Sequence, residues 1–173
     1  MSAVQEFLSE SRIRDRVRAL GAEIRQDAGD DTPVHLVCVL KGAFIFLADL
    51  MRSMGGRVTC DFIVAKSYSG TTSTGQVQLI KDLSHPIDGR HVVIVEDIVD
   101  TGLTLAHLGD VFRTRKPAVL RTACLLSKPS RRKVDVPVDY IGFTIEDRFV
   151  VGYGLDCDEQ FRNLPYVGVM EQE

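Results

Sequence analysis

Between Glu96 and Thr104 the chain reads Glu-Asp-Ile-Val-Asp-Thr-Gly-Leu-Thr, directly after the apolar run Val92 to Val95. Asp100 to Thr104 stands where a strand hands over to a helix. Gly102 permits a close backbone turn, so that successive N–H groups and a helix N-terminus can face outward and hold a phosphate, with Thr101 and Thr104 adding hydroxyl donors. An isolated Asp-Thr-Gly is more often a plain helix cap. The acidic pair upstream shifts that balance, because Glu96 and Asp97 crowd two negative charges at a buried strand end for no structural gain. Carboxylates there can accept hydrogen bonds from the vicinal hydroxyls of a ribose, or lie near a divalent ion. Together these residues read as a cradle for ribose 5-phosphate. The competing reading is an acidic pair simply solvated at the sheet edge.

The surrounding pattern supplies the elements that must hold this cradle. Phe7, Ile13, Val17, Leu20 and Ile24 recur at near-helical spacing and predict an amphipathic leading helix that stops near Gly29. Val34 to Leu40 predicts a strand, Lys41-Gly42 a tight loop, and Ala43 to Met54 a helix closed by Gly55-Gly56. Val58, Cys60, Phe62 and Val64 alternate with more polar neighbours, predicting a strand that runs into the small, polar and mobile loop Ser67 to Gly75. That loop reads equally well as a hairpin tip. Val92 to Val95 suits a strand covered on both faces and ending at Glu96-Asp97. Leu103 to Phe112 follows as a helix, with strands at Val119 to Leu126 and Tyr140 to Thr144. Such alternation is α/β, an open, mostly parallel twisted sheet flanked by helices. Ligands bind at the carboxyl ends of such strands, which singles out Leu40 to Gly42, Lys66 to Gly75 and Glu96 to Thr104.

Bulk properties narrow the function classes. The 173 residues, 45% of them hydrophobic, suit one domain spanning the whole chain. A formal net charge of -3 gives no global basic surface, so no nucleic-acid partner is expected. Cys38, Cys60, Cys124 and Cys157 show no paired spacing and read as buried thiols in a reducing compartment. His35, His85, His91 and His107 form no close pair of the kind that holds zinc. No signal peptide or membrane span is visible, so the expectation is a cytoplasmic protein with no membrane partner.

The run from Val93 to Leu105 resembles the phosphoribosyl pyrophosphate signature of type I phosphoribosyltransferases. Further motifs resemble those of the hypoxanthine-guanine branch. Leu40-Lys41-Gly42 is similar to its pyrophosphate loop, Lys66 to Ser69 with Ser73 to Gly75 to its flexible catalytic loop, and Ser127-Lys128 with Asp147 to Asp156 and Phe161 to Pro165 to its base-binding hood. Leu103, where some members carry lysine, is closer to the bacterial members. The resemblance implies a type I fold with a small C-terminal/N-terminal hood, its C-terminal segment at about 145–173, and a lid at 67–75. It also implies transfer of a phosphoribosyl group to a 6-oxopurine with Mg2+ in purine salvage, by a homodimer or homotetramer.

The same resemblance implies residue roles. Glu96 and Asp97 would bind the ribose hydroxyls, and Thr101, Gly102, Leu103 and Thr104 the 5′-phosphate. Asp100 would take the N7 proton of the purine. Lys128 would donate to its 6-oxo group, Phe149 would stack on it, and the backbone of Val150, with Asp156, would border its edge. On pattern alone, Phe149 reads as a core aromatic. Asp156 would hold magnesium together with Glu96 and Asp97, while Lys41, Leu40, Gly42 and Arg162 would face the pyrophosphate. Tyr68 and Ser69 would cover the reacting centre. In relatives the Leu40-Lys41 peptide can be cis.

One further departure and two rivals complete the reading. Gly70 to Gly75 is spaced like the start of a P-loop, but Gln76-Val77 stands where Lys and Ser/Thr are required. A xanthine- or pyrimidine-preferring transferase shares the donor signature. An RNA-binding regulator on the same fold would need a basic face, and Arg113, Arg115, Lys116, Arg121, Lys128, Arg131, Arg132 and Lys133 form a local concentration. Solvated surface or a subunit interface is the expected use of those cations.

Overall fold

The structure is a computed structural model that describes residues 4–67 and 77–170. In chain order the elements are β1 (Val4–Leu8), α1 (Glu10–Ala28), β2 (Val34–Leu40), α2 (Phe44–Ser53), β3 (Val58–Ser67), β4 (Val77–Lys81), β5 (His91–Val99), α3 (Leu103–Arg113), β6 (Val119–Ser127), a 3-10 turn at Pro129–Arg131, β7 (Tyr140–Thr144), β8 (Val150–Val151) and β9 (Val167–Met170). The main sheet has the order β4-β3-β2-β5-β6-β7. All its pairings are parallel except β3 with β4.

Alternation along the central strands explains why the sheet is covered on both faces. Leu36, Cys38, Val93 and Val95 pack with Leu20, Ile24 and Phe46 of α1 and α2. Their neighbours Val37, Val39, Val92 and Ile94 pack with Leu105, Leu108 and Phe112 of α3. α1 begins where the hydroxyl of Ser9 accepts the Arg12 amide at 3.3 Å and ends at Gly29, whose positive φ of 87° closes the last turn. Because β2, β3, β5, β6 and β7 run parallel, Lys41, Lys66, Asp100 and Lys128 all come out at one end of the sheet.

A second, three-stranded antiparallel sheet, β1-β9-β8, caps that end. Its first strand comes from the N-terminus. Phe7 therefore lies in β1, not in the leading helix where spacing put it; the pairing that claims it is with β9, far along the chain. β5 also continues through Glu96 and Asp97 to Val99, because β6 pairs with it as far as Ser127, so the acidic pair sits within the strand instead of ending it. Of the four thiols, Cys38 and Cys124 are buried and pushed up to about 12 by burial and the neighbouring Glu96, whereas Cys60 and Cys157 are partly exposed. Among the described residues, no helix is long and apolar enough to cross a membrane.

Candidate active site

Consecutive strand residues leave on opposite faces, and that separates Glu96 from Asp97. Asp97 meets Gly42, where a β-carbon would overlap its carboxylate. Glu96 lies on the α3 side of the sheet. Both line a pocket of about 210 Å3 with Val39, Asp100, Gly102 and Thr104. Burial holds the carboxyl of Glu96 well above the usual carboxylate range, reinforced by the charges of Asp97 and Asp100. Burial likewise pushes Asp97 up to about 6, even though the Ile98 amide and the charge of Arg162 pull the other way. One buried and one half-buried carboxylate on the wall of this pocket favour a ligand that brings hydroxyl donors or positive charge.

Beyond the strand, Gly102 is the N-cap of α3, in the left-handed region at φ 81° and with no side chain capping the helix. The Thr101 amide donates to Oδ1 of Asp100 at 2.6 Å, and the Leu103 amide donates to Oγ1 of Thr101 at 3.4 Å. The first amides of any helix lack partners within it, so the start of α3 offers N–H groups to an anion in this pocket. Asp100 to Thr104 thus form one continuous turn from strand to helix, as their spacing predicts.

A larger cavity of about 960 Å3 opens on the other side of Asp100. Lys128, Phe149, Val150 and Asp156 line it, together with Ile98 and Leu155. Phe149 is 43% exposed, so its ring is a wall of the cavity and not part of the core. The Lys128 side chain is only 12% exposed, and its Nζ lies 3.4 Å from Asp147, which also pairs with Arg131 at 3.3 Å. Val150 pairs with Val169 in the capping sheet, which fixes its backbone at the cavity edge.

The cations expected at the pyrophosphate are present and already engaged. Lys41 Nζ lies 2.7 Å from Glu159, and Arg162 bridges Asp156 at 2.9 Å and Glu159 at 3.2 Å. The Lys41 ammonium, with Arg162 beside it, holds the exposed Glu159 carboxyl below its ordinary range. Arg162 also donates to the Gly154 carbonyl at 2.8 Å. A β-carbon at Gly154 would strike the Gly42 carbonyl, so Gly42 is closed in by Asp97 on one side and the hood on the other. The Leu40-Lys41 peptide is cis.

Not every expected grouping forms. Among the described residues no three carboxylates, histidines or cysteines cluster as a metal site. Glu96, Asp97 and Asp156 are therefore not one ligand set, because Asp156 turns one oxygen to Arg162 and the other to the Glu159 amide. The basic concentration around β6 is also not a free basic face. Arg113, Arg115, Arg121 and Arg131 pair with Asp110, Asp82, Asp139 and Asp147, and Arg132 is directed inward onto backbone carbonyls. Tyr68, Ser69 and the expected lid at 67–75 lie outside the described residues, apart from the backbone of Ser67. Ile98 and Glu159 are absent from the sequence reading, while Asp147 and Leu155 enter it only inside the hood motif and Arg132 only among surface cations, none with a role of its own. Only Ile98 carried a signal, as the apolar neighbour of the acidic pair.

The phosphoribosyl transferase domain family matches residues 3–158. The chain is 46% identical over 166 residues to the hypoxanthine-guanine phosphoribosyltransferase of Bacillus subtilis, covering 95% of this chain and 92% of that one. It is 44% identical over 161 residues to the hypoxanthine-guanine-xanthine phosphoribosyltransferase of Tritrichomonas foetus, covering 92% and 87%. A crystal structure of a hypoxanthine-guanine phosphoribosyltransferase from Bacillus anthracis, with a HEPES molecule in its active site, superposes with a TM-score of 0.94 at 44% identity. The superposition covers 99% of this chain and 100% of that one.

Proposed function

The chain belongs to the phosphoribosyl transferase domain family, and from that premise we propose that it transfers the 5-phosphoribosyl group of phosphoribosyl pyrophosphate to N9 of hypoxanthine or guanine in purine salvage, releasing pyrophosphate. One observation carries this reading. The small carboxylate-and-amide pocket and the large aromatic-walled cavity share Asp97, Ile98 and Asp100, so a sugar phosphate in the first and a planar base in the second would meet at Asp100.

In this reading the amides at the start of α3 and the Thr104 hydroxyl hold the 5′-phosphate, and Glu96 and Asp97 accept from the ribose hydroxyls. Phe149 stacks on the purine, Lys128 donates to its 6-oxo oxygen, and Asp100 takes the N7 proton as the new bond forms. The backbone of Val150 and Asp156 borders the base. Lys41, the Leu40 to Gly42 backbone and Arg162 stabilise the departing pyrophosphate, which must draw the two cations from Glu159 and Asp156. Tyr68 and Ser69 are assigned to shielding the reacting centre from water.

The donor set suits magnesium. Glu96 and Asp97 gain from a nearby positive charge, and magnesium is usually held by one or two carboxylates completed by substrate phosphates. Glu96 and Asp97 would hold it, with Asp156 apart from them on Arg162, and when bound it supplies charge neutralisation on the pyrophosphate. The proposed setting is cytoplasmic, in a homodimer or homotetramer. Incubation with magnesium, phosphoribosyl pyrophosphate and each of hypoxanthine, guanine, xanthine, adenine and uracil, following pyrophosphate release, tests the reading. Turnover with hypoxanthine or guanine supports it; turnover with uracil or adenine alone overturns it.

A further inference from the structure

Arg132 belongs by sequence to a run of surface cations, yet its guanidinium grips the backbone behind the site. Nη1 donates to the carbonyls of Val99 at 2.5 Å and Asp100 at 2.6 Å, with the Lys128 carbonyl at 3.5 Å. Nη2 donates to the buried hydroxyl of Ser127 at 2.9 Å. The C=O and N–H of one trans peptide point in opposite directions across its plane. The Asp100 carbonyl that Arg132 holds shares its peptide with the Thr101 N–H, and that N–H is the donor to Oδ1 of Asp100. Guanidinium, peptide and carboxylate therefore form one relay. A cation at the carbonyl polarises the amide and strengthens its far-side hydrogen bond. The next carbonyl, Thr101, is taken by the Lys133 amide at 2.9 Å, so the 132–133 segment orients two successive peptides leading into the phosphate turn.

We infer that Arg132 is a positioning residue, which fixes the Asp100 carboxylate through a single peptide and ties it to the strand end that carries Lys128. The inference rests on the reading in which Asp100 receives the purine proton. A lysine cannot reproduce it, because one ammonium lacks the planar fork that reaches two carbonyls and a hydroxyl together.

The test uses the full-length chain with Arg132→Ala and Arg132→Lys. Displacing a reacting group by about 1 Å can cost roughly 100-fold. The alanine variant is therefore expected to lose kcat on that order while KM for the donor stays within about threefold. Millimolar guanidinium ion should restore part of the alanine variant's kcat and leave the parent unchanged. Hydrogen exchange at the Thr101 amide should quicken in both variants. If alanine prevents folding, the lysine variant carries the same split between kcat and KM. A near-parental kcat, or a fall in kcat and KM together with the melting temperature and no guanidinium rescue, overturns the inference. So does unchanged exchange at Thr101. If the parent itself turns over no purine, the exchange measurement still decides the relay, and only the substrate reading falls.

Discussion

The carboxylate of Asp97 packs directly against Cα of Gly42, leaving no room for a β-carbon. Gly42→Ala must therefore push Asp97 out of its place or shift the loop after β2. We expect a stability loss of about 1–3 kcal/mol, the usual cost of overpacking, with a larger loss in kcat/KM for the donor. Gly55→Ala is the control, since a β-carbon there meets nothing within 4 Å. Thermal melting and steady-state kinetics on both variants check this, and equal behaviour of the two would contradict it.

Asp97, pushed up to about 6 by burial, weakens the folded state while it is ionised. A carboxyl whose folded pKa is raised makes the folded state bind the extra proton, so its penalty is full above about pH 6 and fades between there and its ordinary value of 3.8. Asp97→Asn should consequently melt higher than the parent at pH 7.5, by on the order of a few degrees. That advantage should shrink as the pH falls from 6 to 4. A gap that does not narrow over this range would count against it. Referring each melt to the parent removes the opposing pull of His35 and His91, whose pKa values burial lowers.

Glu159 occupies Lys41 and touches Arg162, both assigned to pyrophosphate. With that competing carboxylate neutralised, Glu159→Gln should bind pyrophosphate several-fold more tightly at low salt. The gain should fade at high salt, because the Lys41 pair is exposed. Calorimetric titration at two ionic strengths measures both.

Lys128→Ala should raise KM for hypoxanthine by about 10-fold or more and erase the preference over adenine, since a polar contact to the 6-oxo group discriminates by its loss. KM for the donor should barely move. Unaltered kinetics with hypoxanthine would remove Lys128 from base selection.

Asp100→Asn keeps the shape and the acceptor oxygen but cannot take a proton. Nucleotide formation should slow by about 100-fold or more, while donor affinity stays within a few-fold. Single-turnover rates set beside equilibrium donor binding separate the two.

Much of this arrangement was readable from local pattern. The bounds of β7 and the strand-to-helix turn at Asp100 to Thr104 follow from apolar runs and turn residues within a few positions. So does the gathering of site residues at one end of the sheet, once alternation implies parallel strands. What escaped depends on distant partners. β4 buries Val77 among more exposed neighbours, too little pattern to announce a strand. Lys41 meets a carboxylate 118 positions away. Arg132 looks like any surface cation until the carbonyls of β5 are in place to receive it. Side chains that long can point outward or inward at similar local cost, and only tertiary structure chooses.

The pairing of β1 with β9 joins Val4 to Met170. Closing so wide a loop is entropically demanding and brings no reward until the sheet beneath it exists. The donor pocket, built from β2, β5 and α3, can thus assemble before the base cavity, whose walls include Gln5, Val169 and Met170. Folding order would then mirror the proposed chemistry: the half assigned to the sugar phosphate is ready first, and the half assigned to the purine is the last to form and the first to fray.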